Sequence, residues 1–146
     1  MKATASITID HSIGDVFTYV TNVENMPRWV TGVRAARMSS ERMGAGARYV
    51  LEYIREWRSS EVEIEVTEYD PPTSFGFRAS RGPFPFEGRT QLKALEDATE
   101  VTNIIEADPD SVATRLAILV FGPLLRRSER KRLTRELEQL RSAIET

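Results

Sequence analysis

Two stretches of strict alternation constrain this chain more than any other feature. Residues 47–57 place Ala47, Tyr49, Leu51, Tyr53 and Trp57 on one side and Arg48, Glu52 and Glu56 on the other. Residues 61–69 set Val62, Ile64 and Val66 against Glu61, Glu63 and Glu65. Successive side chains of a strand point to opposite faces, so the pattern predicts a sheet with one apolar and one wet face. Pro71-Pro72 makes a turn, and Phe75, Phe77 and Ala79 continue as a strand. Arg81-Gly82-Pro83 turns again into Phe84, Phe86, Thr90 and Leu92, and Glu96-Asp97 leads into Val101, Asn103 and Ile105. With the short alternating strand at residues 3–9, this makes about six strands joined largely by hairpins.

The remainder is helical. Ser12-Ile13-Gly14-Asp15 reads as a capping box, in which Ser12 accepts from the backbone N–H three residues on and Asp15 reaches back. Behind it Ile13, Val16, Phe17 and Val20 recur at helical spacing on one apolar face. A short second helix is predicted around Glu24 to Val30, with Pro27 in its first turn. Asp108-Pro109-Asp110 ends the sheet region, and Ser111 to Thr146 forms a long helix whose Leu133, Leu137, Leu140 and Ile144 make a narrow seam toward the core. Helices packed on one face of an antiparallel sheet give an α+β fold. A length of 146 residues is that of a single domain, 1–146.

Composition limits the chemistry. The absence of cysteine removes disulfides, thiolate catalysis and cysteine metal sites, and a single histidine, His11, removes a His-rich one. No cofactor and no metal are expected. A net charge of −2 gives no general attraction to nucleic acid. The N-terminus lacks the apolar core of a signal peptide, so a cytoplasmic location is expected. The longest uncharged apolar stretch, Leu116 to Leu125, falls far short of a membrane span and is interrupted by Gly122-Pro123. The near-neutral total hides a segregation. Seven acidic residues lie between Glu52 and Asp70 against Arg55 and Arg58, and seven basic ones between Arg126 and Arg141 against Glu129, Glu136 and Glu138. Charge runs of this kind read as solvated faces.

The order of elements, and the residues within them, resemble the START/Bet v 1-like (SRPBCC) superfamily, and within it the polyketide cyclase/dehydrase-like group. The resemblance rests on Ile7-Thr-Ile-Asp10 leading to Asp15-Val16-Phe17, on Met26-Pro27-Arg28-Trp29-Val30-Thr31-Gly32-Val33, on Val66-Thr67-Glu68-Tyr69-Asp70-Pro71-Pro72, and on Leu137-Glu-Gln-Leu140-Arg141-Ser-Ala-Ile144-Glu145. Ser12 and Ile13 stand where the family usually has proline after the first strand. The resemblance implies a helix-grip fold, in which a curved antiparallel sheet wraps the C-terminal helix around a cavity. Members bind lipids, sterols, polyketides or other apolar molecules there, and some are cyclases or dehydratases.

On that reading, Tyr49, Tyr53, Trp57, Phe75, Phe77, Phe84 and Phe86, with Leu51, Val62, Ile64 and Trp29, line the cavity. Asn103 is in phase with Val101 and Ile105, so its amide points inward and needs a tyrosine, water or ligand as partner. Glu68 is in phase with Val62, Ile64 and Val66, although it lies at the strand end and reads more naturally as exposed; if inward, it is a candidate acid or base. Arg89 falls on the wet face, and His11 reads as a surface turn residue. No Ser-His-Asp set or paired carboxylates stand at catalytic spacing. Leu116, Ala117, Ile118, Leu119, Val120 and Phe121 are apolar all round a helical wheel. Three readings stay open for them: cavity lining through Leu116, Leu119 and Val120, a homodimer interface, or contact with a membrane surface through the adjoining arginines. Gly122-Pro123 is expected to kink or split the helix, bringing Arg126 and Arg130 onto its packing face. The expected function is binding of a lipophilic, aromatic or polycyclic small molecule. The alternative is a cyclase or dehydratase in which Tyr53, Asn103 or Glu68 assists proton transfer.

Overall fold

The computed structural model describes residues 2–55, 58–81, 86–107 and 130–146. The expectations for Trp57, Phe84, the 108–111 boundary, Leu116, Leu119, Val120, Gly122-Pro123 and Arg126 lie outside these residues. Seven strands form one antiparallel sheet: β1 (Lys2–Ile9), β2 (Val33–Met38), β3 (Arg48–Arg55), β4 (Arg58–Asp70), β5 (Ser74–Arg81), β6 (Phe86–Ala94) and β7 (Thr99–Ala107). Their order is β1-β7-β6-β5-β4-β3-β2. Strands 2 to 7 each lie beside their sequence neighbour, and the first strand closes the far edge against the last, with Ala5 opposite Asn103. The strand not delimited in the sequence is β2, an edge whose alternation is short and mostly exposed.

Helix α1 (Ile13–Thr21) begins where Ser12 Oγ accepts from the Asp15 N–H at 3.3 Å. Among the described residues only this half of the capping box forms. Val16, Phe17 and Val20 are buried and Ile13 packs against them, as the spacing predicts. One 3-10 turn, Val23–Asn25, leads into α2 (Met26–Trp29), with Pro27 in its first turn. Gly32 then turns the chain into β2 with φ of 81°, a left-handed conformation that glycine adopts without penalty.

The sheet's inner face carries the core, including Tyr49, Leu51, Val62, Ile64, Val66, Phe75, Leu92 and Val101. Residues 130–145 are helical. Leu133, Leu137 and Leu140 are almost wholly buried in this core, and Ile144 packs at its margin. The far end of the helix is tied down where the Asp10 N–H donates to Glu145 Oε1 at 3.0 Å. This is the helix-grip arrangement that the resemblance implies.

Two expectations about charge need correction. The outer face is mixed rather than acidic, because β3 and β5 directly, and β2 from across β3, bring arginines among the glutamates of β4. Arg37 pairs with Glu61 at 3.5 Å, Arg48 with Glu63 at 3.3 Å and Arg78 with Glu65 at 3.3 Å. Charge counted along one strand cannot reveal this, since the partners lie on other strands of the sheet. Arg130 is exposed and does not extend the leucine seam. The charged residue on the packing face is Glu136.

Candidate functional site

A cavity of about 60 Å³ lies between the inner face of the sheet, α2 and the C-terminal helix. That is room for a few waters, and less than half of the roughly 150 Å³ of a cavity that holds a benzene-sized guest. Its sheet wall includes Tyr49, Leu51, Tyr53, Ile64, Phe75, Phe77 and Phe86, with Thr90, Asn103 and Ile105 toward β6 and β7. Trp29 and Val30 close one side, and Arg132, Leu133 and Glu136 the helix side. The aromatics form a continuous run. Ring centroids are 5.6 Å apart for Phe17–Tyr69, 6.4 Å for Tyr69–Phe75, 6.1 Å for Phe75–Phe77 and 6.3 Å for Phe77–Phe86. These separations suit the tilted and edge-to-face contacts that aromatic quadrupoles favour. Gly88 keeps the space open: a Cβ there would run into the Phe77 ring and stand 2.7 Å from Ile105 Cδ1.

Of the anticipated lining residues, Trp29, Tyr49, Leu51, Tyr53, Ile64, Phe75, Phe77, Phe86 and Asn103 are brought together here. Val62 is buried in the core but does not line the cavity. Glu68 is displaced from the inner face. The β4–β5 register runs Val66↔Phe77 and then Glu68↔Gly76, so Thr67 is an extra residue in β4. One inserted residue reverses the alternation. Glu68 therefore faces out, where it pairs with Arg89 at 3.1 Å, and Tyr69 turns in against Phe17 and Phe75. As an internal acid or base Glu68 is excluded by this geometry. His11 sits at the turn after β1, where its carbonyl accepts from the Thr99 hydroxyl at 2.8 Å.

The polar groups of the cavity are few. Asn103 is 4% exposed, and its Oδ1 accepts from the Thr90 hydroxyl at 2.6 Å. The partner is thus the cross-strand neighbour rather than a tyrosine. Burial, and secondarily the neighbouring Tyr53, raise the Tyr49 phenol well above its ordinary range, so it is a neutral hydrogen-bonding group at any ordinary pH. The Trp29 Nε1–H and the Thr31 hydroxyl are buried without a hydrogen-bond partner among the described residues.

Glu136 is the residue that sequence reasoning missed. Its side chain is only 6% exposed, and Oε1 accepts from the Thr31 N–H at 3.1 Å and from Arg132 Nε at 3.3 Å. The signal was present: 133, 136, 137 and 140 share one helical face by the i, i+3, i+4, i+7 rule, but a glutamate inside an Arg-rich run reads as a surface counter-charge. The arrangement offers a largely apolar cavity with a buried amide, a neutral phenol and a buried carboxylate. Among the described residues no group of histidine, aspartate and glutamate is placed to hold a metal ion, and no helix is long and apolar enough to cross a membrane.

Comparison with known proteins supports the same reading of the fold. No curated protein matches the chain. TTHA0849 from Thermus thermophilus superimposes with a TM-score of 0.79 at 15% identity, over 99% of this chain and 97% of that one. A START superfamily protein from Mycobacterium smegmatis matches with a TM-score of 0.64 at 17% identity, over 95% and 98% of the two chains. The di-domain ARO/CYC StfQ from the steffimycin biosynthetic pathway matches with a TM-score of 0.75 at 14% identity, over 99% of this chain but 50% of its own length. At such identities the likeness is one of fold. The family model described as polyketide cyclase / dehydrase and lipid transport aligns with residues 1–145, and the chain belongs to that family.

Proposed function

We propose that this protein binds one hydrophobic, aromatic small molecule in the cavity between the sheet and the C-terminal helix. The observation that carries the reading is the wall itself. Trp29, Tyr49, Tyr53, Phe75, Phe77 and Phe86 converge on one cavity while polar groups are held to isolated positions. Such a lining suits an apolar guest oriented by a few hydrogen bonds. Family membership supports it, since the family unites polyketide cyclases and dehydrases with lipid transport. A volume of about 60 Å³ is short of what one ring needs, so an aromatic guest, and still more a polycyclic or polyketide-like one, requires side chains of the wall to turn aside.

A cyclase or dehydratase activity is the second reading, and Glu136 favours it. A buried carboxylate in the lining is a candidate acid or base in place of the excluded Glu68, and a reaction by orientation of the substrate needs little more. Native mass spectrometry of the purified protein for a co-purified ligand tests the common core of both readings. Titration with single-ring aromatics, followed by tryptophan fluorescence, complements it because Trp29 borders the space. Gly88→Ala is expected to weaken binding at least tenfold, by moving the Phe77 ring into the space. Unchanged affinity in Gly88→Ala, or no ligand of any class, would refute the cavity as the binding site.

A further inference from the structure

Strand β2 is an edge of the sheet, and the ladder beside it shows which of its backbone groups face outward. The Ser39 N–H donates to the Arg48 carbonyl at 2.9 Å, so these two residues form a hydrogen-bonded pair. In an antiparallel ladder such pairs alternate with non-hydrogen-bonded ones. The register runs without a shift through Met38↔Tyr49, Arg37↔Val50 and Ala36↔Leu51. Arg37 is therefore bonded to β3, whereas the N–H and C=O of Ala36 and Met38 point away from it. They face the side on which β2 has no neighbouring strand among the described residues. An open groove of about 320 Å³ runs along these groups, between β2 and the turn after α1. Ala36 and Met38 line it together with Val23 and Met43, and Glu24 stands on its far lip. None of its residues lines the interior cavity.

We propose that this edge and groove dock an extended peptide segment of a partner protein, which adds to β2 as an antiparallel strand. Two alternate residues of the peptide lie opposite Ala36 and Met38 and exchange about four backbone hydrogen bonds with them. Their side chains fall on the same face as Ala36 and Met38, so they are apolar and enter the groove. Met38 and Met43 suit that role, because a flexible thioether chain adapts to different apolar shapes. The peptide residue between them lies opposite Arg37 on the outer face. The Arg37 side chain is 62% exposed and meets Glu61 at 3.5 Å, which leaves guanidinium edges for a second carboxylate. An acidic residue therefore completes the site, while Glu24 opposes an acid inside the groove. The recognised pattern is apolar, acidic, apolar. A second copy of this chain fits worse. Setting Ala36 against the copy's Met38 puts Arg37 against Arg37, and like charges directly opposite are destabilising.

The probe is the capped peptide acetyl-Glu-Val-Glu-Ile-Glu-amide, titrated into the whole chain and followed by calorimetry and amide NMR. Saturable binding is expected, with shifts centred on Ala36 and Met38 and slower hydrogen exchange at both. N-methylation separates strand addition from adhesion of a charged, greasy peptide. The Val and Ile N–H groups face β2, so methylating them is expected to weaken binding at least about tenfold. The Glu N–H groups face away, and methylating them should leave affinity within about twofold. Lysine in place of the central glutamate is expected to weaken binding about fivefold, and Arg37→Glu to reverse that preference. No binding, equal loss from the two methylation patterns, or an unchanged preference in Arg37→Glu would overturn the proposal. A dimer in analytical ultracentrifugation that excludes the peptide would overturn it too, by giving the edge to a second copy.

Discussion

Glu136→Ala is the sharpest probe of the helix grip. The Glu136 side chain is 6% exposed, and its carboxylate takes the Thr31 N–H at 3.1 Å and Arg132 Nε at 3.3 Å. A hydrogen bond to an ionised acceptor contributes about 1.5–3 kcal/mol. The Arg132 side chain is 42% exposed, so its i,i+4 pairing is screened and adds only about 0.3–0.5 kcal/mol. Truncation to alanine is thus expected to lower stability by roughly 2–3.5 kcal/mol. At about 2–4 °C per kcal/mol for a chain approaching this length, Tm should fall by roughly 4–14 °C. Glu136→Gln keeps an oxygen for the Thr31 N–H and should cost about half as much. Urea unfolding with an unchanged m-value is the assay, because a shift in midpoint alone then reports stability. Alanine within about 0.5 kcal/mol of wild type would refute the account of the Thr31 anchor. Glutamine as damaging as alanine would show that charge, not the bond, does the anchoring.

Two further expectations concern residues on either face of the sheet. The Tyr49 phenol is raised above its ordinary pKa in the folded chain, by burial first and Tyr53 second. Its contribution to stability is therefore complete below about pH 10 and is lost as pH climbs above that, where only the unfolded chain ionises, at about 1.4 kcal/mol per pH unit. Stability against pH, measured by denaturant unfolding, should fall less steeply above pH 10 in Tyr49→Phe; parallel curves would contradict the burial argument. On the outer face, Glu68 and Arg89 have side chains 37% and 51% exposed. Glu68→Gln is expected to change stability by less than about 1 kcal/mol and to leave ligand affinity unaltered. Lost affinity would return Glu68 to the cavity.

The aromatic wall and the charged residues behave differently under sequence reasoning. Alternation in β3 assigned Tyr49, Leu51 and Tyr53 to the inner face because a strand's side chains have period two whatever surrounds it. The same rule failed at Glu68, where Thr67 has no counterpart on β5. A bulge is a relation between two strands, and neither strand read alone contains it. Glu136 illustrates a second kind of failure. Its phase on the helix was legible, but its burial depends on the Thr31 N–H, 105 positions away in sequence, arriving at 3.1 Å.

What the amino-acid sequence determined alone is the set of regularities with short range: strand periods, the Ser12 cap, the α1 face and the leucine seam of the C-terminal helix. These depend on residues within a turn or two of one another, so local stereochemistry suffices. The class of fold followed, since a one-sided sheet and an amphipathic helix must bury their apolar faces together. Only the tertiary structure decided the polarity of the site. The pairing of Asn103 with Thr90, the exit of Glu68 and the entry of Glu136 and Arg132 come from contacts between separate elements. Burial and hydrogen-bond satisfaction are settled by which elements meet, and with them the chemistry the cavity can offer.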